Sequence, residues 1–137
     1  LAGGPPEGRE VKLWFPGGSS SPVLTRDDLD LPYDFDTMAQ SGTMLGSGAI
    51  IVVDDSQSVV DVCMKLATFY AHESCGKCTP CREGTARLRD MLDGRAPVDR
   101  RAVAELADVV RVASLCGLGQ AAPLSIQSAL SEFPGEV

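Results

Sequence analysis

Histidine occurs once in this chain, aromatic residues make up only 5% of it, and the 12 basic side chains are outnumbered by 19 acidic ones. No paired-carboxylate, Ser-His-Asp or Cys-His constellation stands out around the lone His72, so hydrolytic chemistry has no support. A formal net charge of −7 gives no electrostatic footprint for gripping phosphate backbones or anionic lipid, which argues against nucleic acid and membrane surfaces as partners. The uncharged run over 37–53 is short for a span and is interrupted by Gln40, Thr43, serines and three glycines, so no transmembrane helix is expected. The start has neither Met nor a basic-then-apolar pattern, and the expectation is a fragment or processed product without a secretory signal. What is present is enough to fold: 137 residues, 44% apolar, exclude a wholly disordered chain and suit one ordinary domain or two small ones.

The composition changes along the chain. Residues 1–55 carry nine acidic and three basic side chains and hold 8 of the 14 glycines, whereas 56–137 carry ten and nine, so the first part is the turn-rich one. In it, Val11-Lys12-Leu13-Trp14-Phe15 and Ala49-Ile50-Ile51-Val52-Val53 read as strands bounded by Gly, Pro and Asp. Asp36 is placed as the cap of a single helical turn reaching Gln40. Two or three strands and one short helix make a small α+β unit with a marginal core of its own.

The second part reads as four amphipathic helices. Val59, Val62, Cys63, Leu66, Phe69 and Tyr70 recur three and four apart, giving a helix that ends near Ser74. A second opens with Thr79 as cap and Pro80 at the first position and runs to Gly94. A third follows Pro97 with Val103, Leu106, Val110 and Ala113 on one face, and a fourth runs from about Pro123 through Ile126, Leu130 and Phe133. Joined by short turns, they predict a small helical bundle.

Five cysteines carry the chemistry. Cys75-Gly-Lys-Cys78-Thr-Pro-Cys81 packs three thiols into seven residues, and Cys116 follows in Ser-Leu-Cys-Gly-Leu-Gly. Such close thiols make a poor disulfide framework, so reduced thiolates around a metal in a cytosolic protein are expected. Three clustered ligands and one remote ligand suit a cubane 4Fe-4S cluster, in which each thiolate holds one iron corner. Zinc remains the rival, because four thiolates also build a closed tetrahedral site, though usually from two separated C-x-x-C pairs. Gly76, Gly117 and Gly119 would let backbone N–H groups approach the sulfurs. Lys77 and Arg82 either favour a more negative reduced cluster or simply form a solvated, salt-bridged face. Cys63 sits on the apolar stripe of its helix and reads as packing. His72 reads as a helix-end side chain touching carbonyls, with donation to a cluster sulfur as the alternative. Pro16-Gly17-Gly18-Ser19-Ser20-Ser21 and Gly46-Ser47-Gly48 lack phosphate-loop spacing and read as turns.

Glu73-Ser-Cys-Gly-Lys-Cys-Thr-Pro-Cys-Arg-Glu-Gly84 and Ser114-Leu-Cys-Gly-Leu-Gly-Gln-Ala-Ala-Pro123 resemble the flavoprotein, NADH-binding subunit of respiratory complex I and its diaphorase relatives in NAD-linked hydrogenases and formate dehydrogenases. Upstream, Pro16-Gly-Gly-Ser-Ser20 and Gly42-Thr-Met-Leu-Gly-Ser-Gly48 are similar to that family's soluble-ligand-binding β-grasp domain. The resemblance implies the later part of a β-grasp unit over 1–55, lacking its first strand, and a helical 4Fe-4S domain over 56–137. It implies Cys75, Cys78, Cys81 and Cys116 as cluster ligands. It further implies that electrons arrive from a flavin mononucleotide (FMN) reduced by NADH and leave toward partner subunits, a thioredoxin-like 2Fe-2S subunit and a larger multi-cluster one. The FMN and NAD sites then belong to an N-terminal domain outside these residues, and this chain alone binds neither. The location implied is cytoplasmic, with a peripheral place on the inner face of a membrane open to it only through a complex. The chain's end at Val137, without a charged helical tail, leans toward a soluble diaphorase or formate dehydrogenase. From another class, a zinc-stapled interaction module is the remaining alternative.

Overall fold

The computed structural model describes residues 3–95 and 97–136. It is a mixed α+β structure that divides into two compact units, Leu1–Ser58 and Val59–Val137. No helix among the described residues is long and apolar enough to cross a membrane. This includes the uncharged residues 112–131, a longer run than 37–53, most of which lie in the last helix.

The first unit is built on an antiparallel sheet of order β2-β1-β3, with β1 Val11–Phe15, β2 Leu24–Thr25 and β3 Ile51–Asp54. The third strand therefore starts two residues later than the apolar run that predicts it. Trp14 pairs with Leu24 on one side and Val52 on the other. A register shift between Val11 and Leu13 breaks the strict alternation of the strand. Leu13 and Phe15 are fully buried, and Trp14 packs with Leu24 and Met38 on a second cluster that Val11 also joins. The short helix α1, Phe35–Gln40, is capped by Asp34 and not by Asp36: the Asp34 carboxylate accepts the Thr37 N–H at 2.8 Å. Capping requires the side chain to reach an N–H two or three residues ahead, and from Asp34 the first free N–H groups of the helix are at that distance. The two glycine-rich segments are turns that lie against each other. A Cβ on Gly17 would stand 2.6 Å from the Met44 carbonyl oxygen, and the Ser21 hydroxyl is engaged with Gly17 and Gly18.

The second unit consists of α2 Val59–Glu73, α3 Thr79–Leu92, α4 Arg100–Ala113 and α5 Gly117–Glu132. Helices α3 and α5 both pack against α2 and against α4. Helix α2 buries Val59, Val62, Cys63, Leu66, Ala67 and Tyr70, the expected stripe except for Phe69, which is exposed with its ring edge-on to Tyr70. Helix α3 starts at the expected cap, with the observed cap one residue earlier: Cys78 is the N-cap, so Thr79 and Pro80 occupy the first two positions, where a missing N–H costs nothing. In α4, Asp99 caps through the Ala102 N–H at 3.0 Å, and the buried face is Val103, Ala107 and Val110. Ala113, expected on that face, is exposed. Helix α5 begins at Gly117, six residues before the expected start at Pro123, and carries that proline in its interior. Pro123 withholds only its own bond to Gly119, and burial of Ala122, Ile126, Ala129 and Leu130 offsets the loss. The Arg100 guanidinium donates to the Leu130 carbonyl at 2.7 Å, serving a carbonyl that the end of α5 leaves without a helical partner.

Candidate metal centre

The three clustered cysteines occupy the α2–α3 junction and the fourth stands at the entrance to α5. Cys75 lies exposed in the connection, Cys78 caps α3, Cys81 is buried in the first turn of α3, and Cys116 caps α5. Both capping cysteines have extended backbone, and neither cap is completed by a side-chain hydrogen bond. Two thiols thus sit at helix N-termini, beside the N–H groups that the first turn leaves without a helical partner.

The two halves of the motif meet through Cys78. Hydrogen bonds from the backbone N–H of Leu115, then from that of Cys81, hold the Cys78 thiol below its ordinary range, outweighing a burial effect in the opposite direction. The N–H of Leu115 is the one immediately before Cys116, so the remote segment is already seated on the clustered one. Cys81 is fixed from two other directions. The Ser74 hydroxyl is 3.3 Å from the Cys81 sulfur, and Gly119 packs so tightly that an added Cβ would overlap the Ser114 hydroxyl while lying 3.0 Å from the Cys81 Cβ. Gly76 has φ of +75°, a left-handed turn suited to glycine, and its N–H goes to the Ser74 hydroxyl at 3.3 Å. The donors on the Cys78 sulfur are thus Leu115 and Cys81, where the sequence pointed to glycines. Gly119 matters for the side chain it lacks, and open space surrounds Gly117.

The flanking groups also find partners. Arg82 bonds Glu83 at 2.8 Å and the Gly76 carbonyl at 2.6 Å, so it braces the loop as a salt-bridged cation. His72 is exposed, and its Nδ1 lies 3.0 Å from the neighbouring Glu73 carboxylate; neither a carbonyl nor a sulfur is its partner. Cys63 is wholly buried in α2, and desolvation pushes its thiol up to about 12, which keeps it neutral and apart from the other four. Ser74 and Ser114 carried no sequence signal beyond their place beside the cysteines.

All five cysteines are free thiols. Among the described residues no three of His, Cys, Asp and Glu group tightly enough to hold one metal ion. A cubane makes a different demand, because each thiolate takes a separate iron corner. The donor set fits such a cluster chemically: soft sulfur ligands, two at helix N-termini, one already receiving backbone N–H bonds, and beside them the buried Ser114 hydroxyl without a hydrogen-bond partner.

Residues 61–137 match the family described as the NADH-ubiquinone oxidoreductase-F iron-sulfur binding region. The F subunit of the NADH-quinone oxidoreductase of Streptomyces coelicolor is 41% identical over 99% of this chain and 31% of its own length. The NADP-reducing hydrogenase subunit HndC of Solidesulfovibrio fructosivorans is 36% identical over 99% of this chain and 29% of its own. The crystal structure of an NAD+-reducing [NiFe]-hydrogenase in the H2-reduced state superposes with a TM-score of 0.78 at 26% identity, covering 92% of this chain and 22% of that one. The chain thus spans about a third of the length of the curated relatives it matches. With more than half of its residues inside that match, the chain belongs to the NADH-ubiquinone oxidoreductase-F iron-sulfur binding family.

Proposed function

We propose that this chain is the electron-transfer portion of an NADH dehydrogenase-type flavoprotein subunit, with Cys75, Cys78, Cys81 and Cys116 holding one 4Fe-4S cluster. The cluster supplies a site that takes up and gives up one electron at a time. The protein's part is to fix that site, set its potential and keep water from it. The single observation that carries the reading is the Leu115 N–H on the Cys78 sulfur, which brings the segment bearing the fourth cysteine against the first three. Cys78 and Cys116 each cap a helix N-terminus, an end that favours a group of negative charge.

In this reading residues 1–55 are the later part of a soluble-ligand-binding β-grasp domain, and 56–137 a four-helix iron–sulfur bundle. FMN and NADH bind elsewhere in the parent protein, and electrons pass from the reduced flavin through the cluster to partner iron–sulfur subunits. The parent is an oxidoreductase subunit of the quinone-reducing or hydrogenase-diaphorase type, as the names of the relatives on both sides support. The place is cytoplasmic, on a membrane only through a complex.

The test is anaerobic reconstitution of the chain with iron and sulfide. Four irons per chain, a brown colour with broad visible absorption, and a resonance on reduction are expected. A colourless protein that takes up one zinc and no iron overturns the reading in favour of a zinc-stapled interaction module.

A further inference from the structure

Two serine hydroxyls lie in the segments that carry the cysteines, Ser74 on the Cys81 sulfur and Ser114 buried without a partner. Ser74 is half-buried at the end of α2, and its oxygen lies 3.3 Å from the Cys81 sulfur. That oxygen already accepts the Gly76 N–H, which leaves the hydroxyl hydrogen for the sulfur. A ligating Cys81 is a thiolate and has no proton to give, so Ser74 is the donor of this pair. Ser114 is only 5% exposed, its hydroxyl has no hydrogen-bond partner, and it crowds against Gly119 at the point where the Cys81 Cβ also arrives. An alanine at 119 would overlap that hydroxyl, so the missing side chain makes room for it. A buried hydroxyl without a partner carries a desolvation penalty that a serine on an ordinary helix end would escape into water. The hydroxyl at this place calls for an acceptor, and the side chain of Cys81 arrives at the same point.

Resting on the cluster assignment above, we infer that Ser74 and Ser114 are positioning residues whose hydroxyls donate hydrogen bonds to sulfurs of the site, Ser74 to Cys81 and Ser114 to the sulfur of the loaded cluster nearest it, and thereby raise its reduction potential. Reduction adds one electron and no proton, so negative charge on the sulfurs grows and a fixed O–H dipole stabilises the reduced form more than the oxidised one. One serine precedes Cys75 and the other lies two residues before Cys116, so each ligand-bearing segment contributes one hydroxyl.

The experiment uses the cluster-loaded chain with Ser74→Ala, Ser74→Thr and Ser114→Ala, reading iron content and the reduced fraction by electron paramagnetic resonance at set potentials. Iron should stay at the wild-type level. At a fixed potential each alanine variant should show an up to roughly tenfold lower ratio of reduced to oxidised cluster, about 59 mV for a one-electron couple. Ser74→Thr, which keeps the hydroxyl, should restore the wild-type ratio. An exchangeable-proton coupling lost from each alanine variant after transfer to heavy water identifies the donor directly. Unchanged ratios at full iron content overturn the inference, and so does loss of iron from both alanine variants, which would make the serines builders of the site. Wild-type chain that takes up no iron at all fails the cluster assignment itself and is thereby told apart.

Discussion

Replacing Gly84 by alanine puts one methyl group between α3 and α4 at the tightest point of their contact. The added Cβ would overlap Val110 Cγ2 and lie 3.6 and 3.9 Å from Val110 Cβ and Cγ1, so the Cγ2 contact falls about 1 Å or more inside the ~3.5–4.0 Å separation of packed carbons. Val110 is fully buried and β-branched on a helix, where one χ1 rotamer dominates, so it cannot swing aside and the helices must part. Overpacking of this kind costs about 1–3 kcal/mol, against about 1 kcal/mol gained from exchanging glycine for alanine inside a helix. The stiffness of Val110 puts the cost at the upper end, so Gly84→Ala should destabilise the helical unit by about 1–2 kcal/mol. Val110→Ala alone should cost roughly 2 kcal/mol through lost burial and a cavity. In that background the new methyl fills vacated space, and Gly84→Ala should become neutral or stabilising. The coupling between the two sites should therefore be about 2 kcal/mol. Urea unfolding followed by far-ultraviolet circular dichroism reads it, because most helical residues lie in this unit. Equal effects of Gly84→Ala in both backgrounds, within about 0.5 kcal/mol, would refute the overlap as the cause.

Cys63→Ala should leave the iron content of the reconstituted chain unchanged, since Cys63 is buried and neutral, whereas Cys116→Ala should lower it or leave a three-iron form; equal iron in the two variants would contradict the ligand assignment. Asp34 is held below its usual range first by the Thr37 N–H and then by the Thr37 hydroxyl, and Asp54 first by the Ser56 hydroxyl and then by its N–H. A lowered folded pKa gives stability that is complete above the unfolded value near 3.9 and is lost as pH falls through the folded value. Fluorescence of Trp14, the only tryptophan, should therefore report a less steep acid loss in Asp34→Asn with Asp54→Asn than in wild type, and parallel curves would count against it. NADH should not reduce the reconstituted cluster until the flavin-bearing part of the parent is added; resonance appearing with NADH alone would place a dinucleotide site within these residues.

The cysteine spacing, the strand at 11–15 and the helix Val59–Glu73 were legible in the sequence alone. Each rests on a local signal: thiols two residues apart, an apolar run between turn residues, a repeat of three and four. The bounds of the third strand, the caps at Asp34 and Cys78 and the true start of α5 were not legible. Glycine is a poor helix former and proline a frequent first residue, so local rules started α5 at Pro123. The fold starts it at Gly117, and Gly119 in its first turn meets Ser114 and Cys81 where no side chain would fit. Gly84 is a second such case, a helix-interior glycine with no local purpose until Val110 arrives from another helix. The sequence by itself determined which atoms could bind iron, since ligand chemistry is a property of side chains. Only the folded structure decided that Leu115 reaches Cys78, that Arg82 braces Gly76, and that Ser74 meets the Cys81 sulfur. The first joins residues 37 positions apart through the packing of the helices, and the other two depend on how the loop folds back on the start of α3.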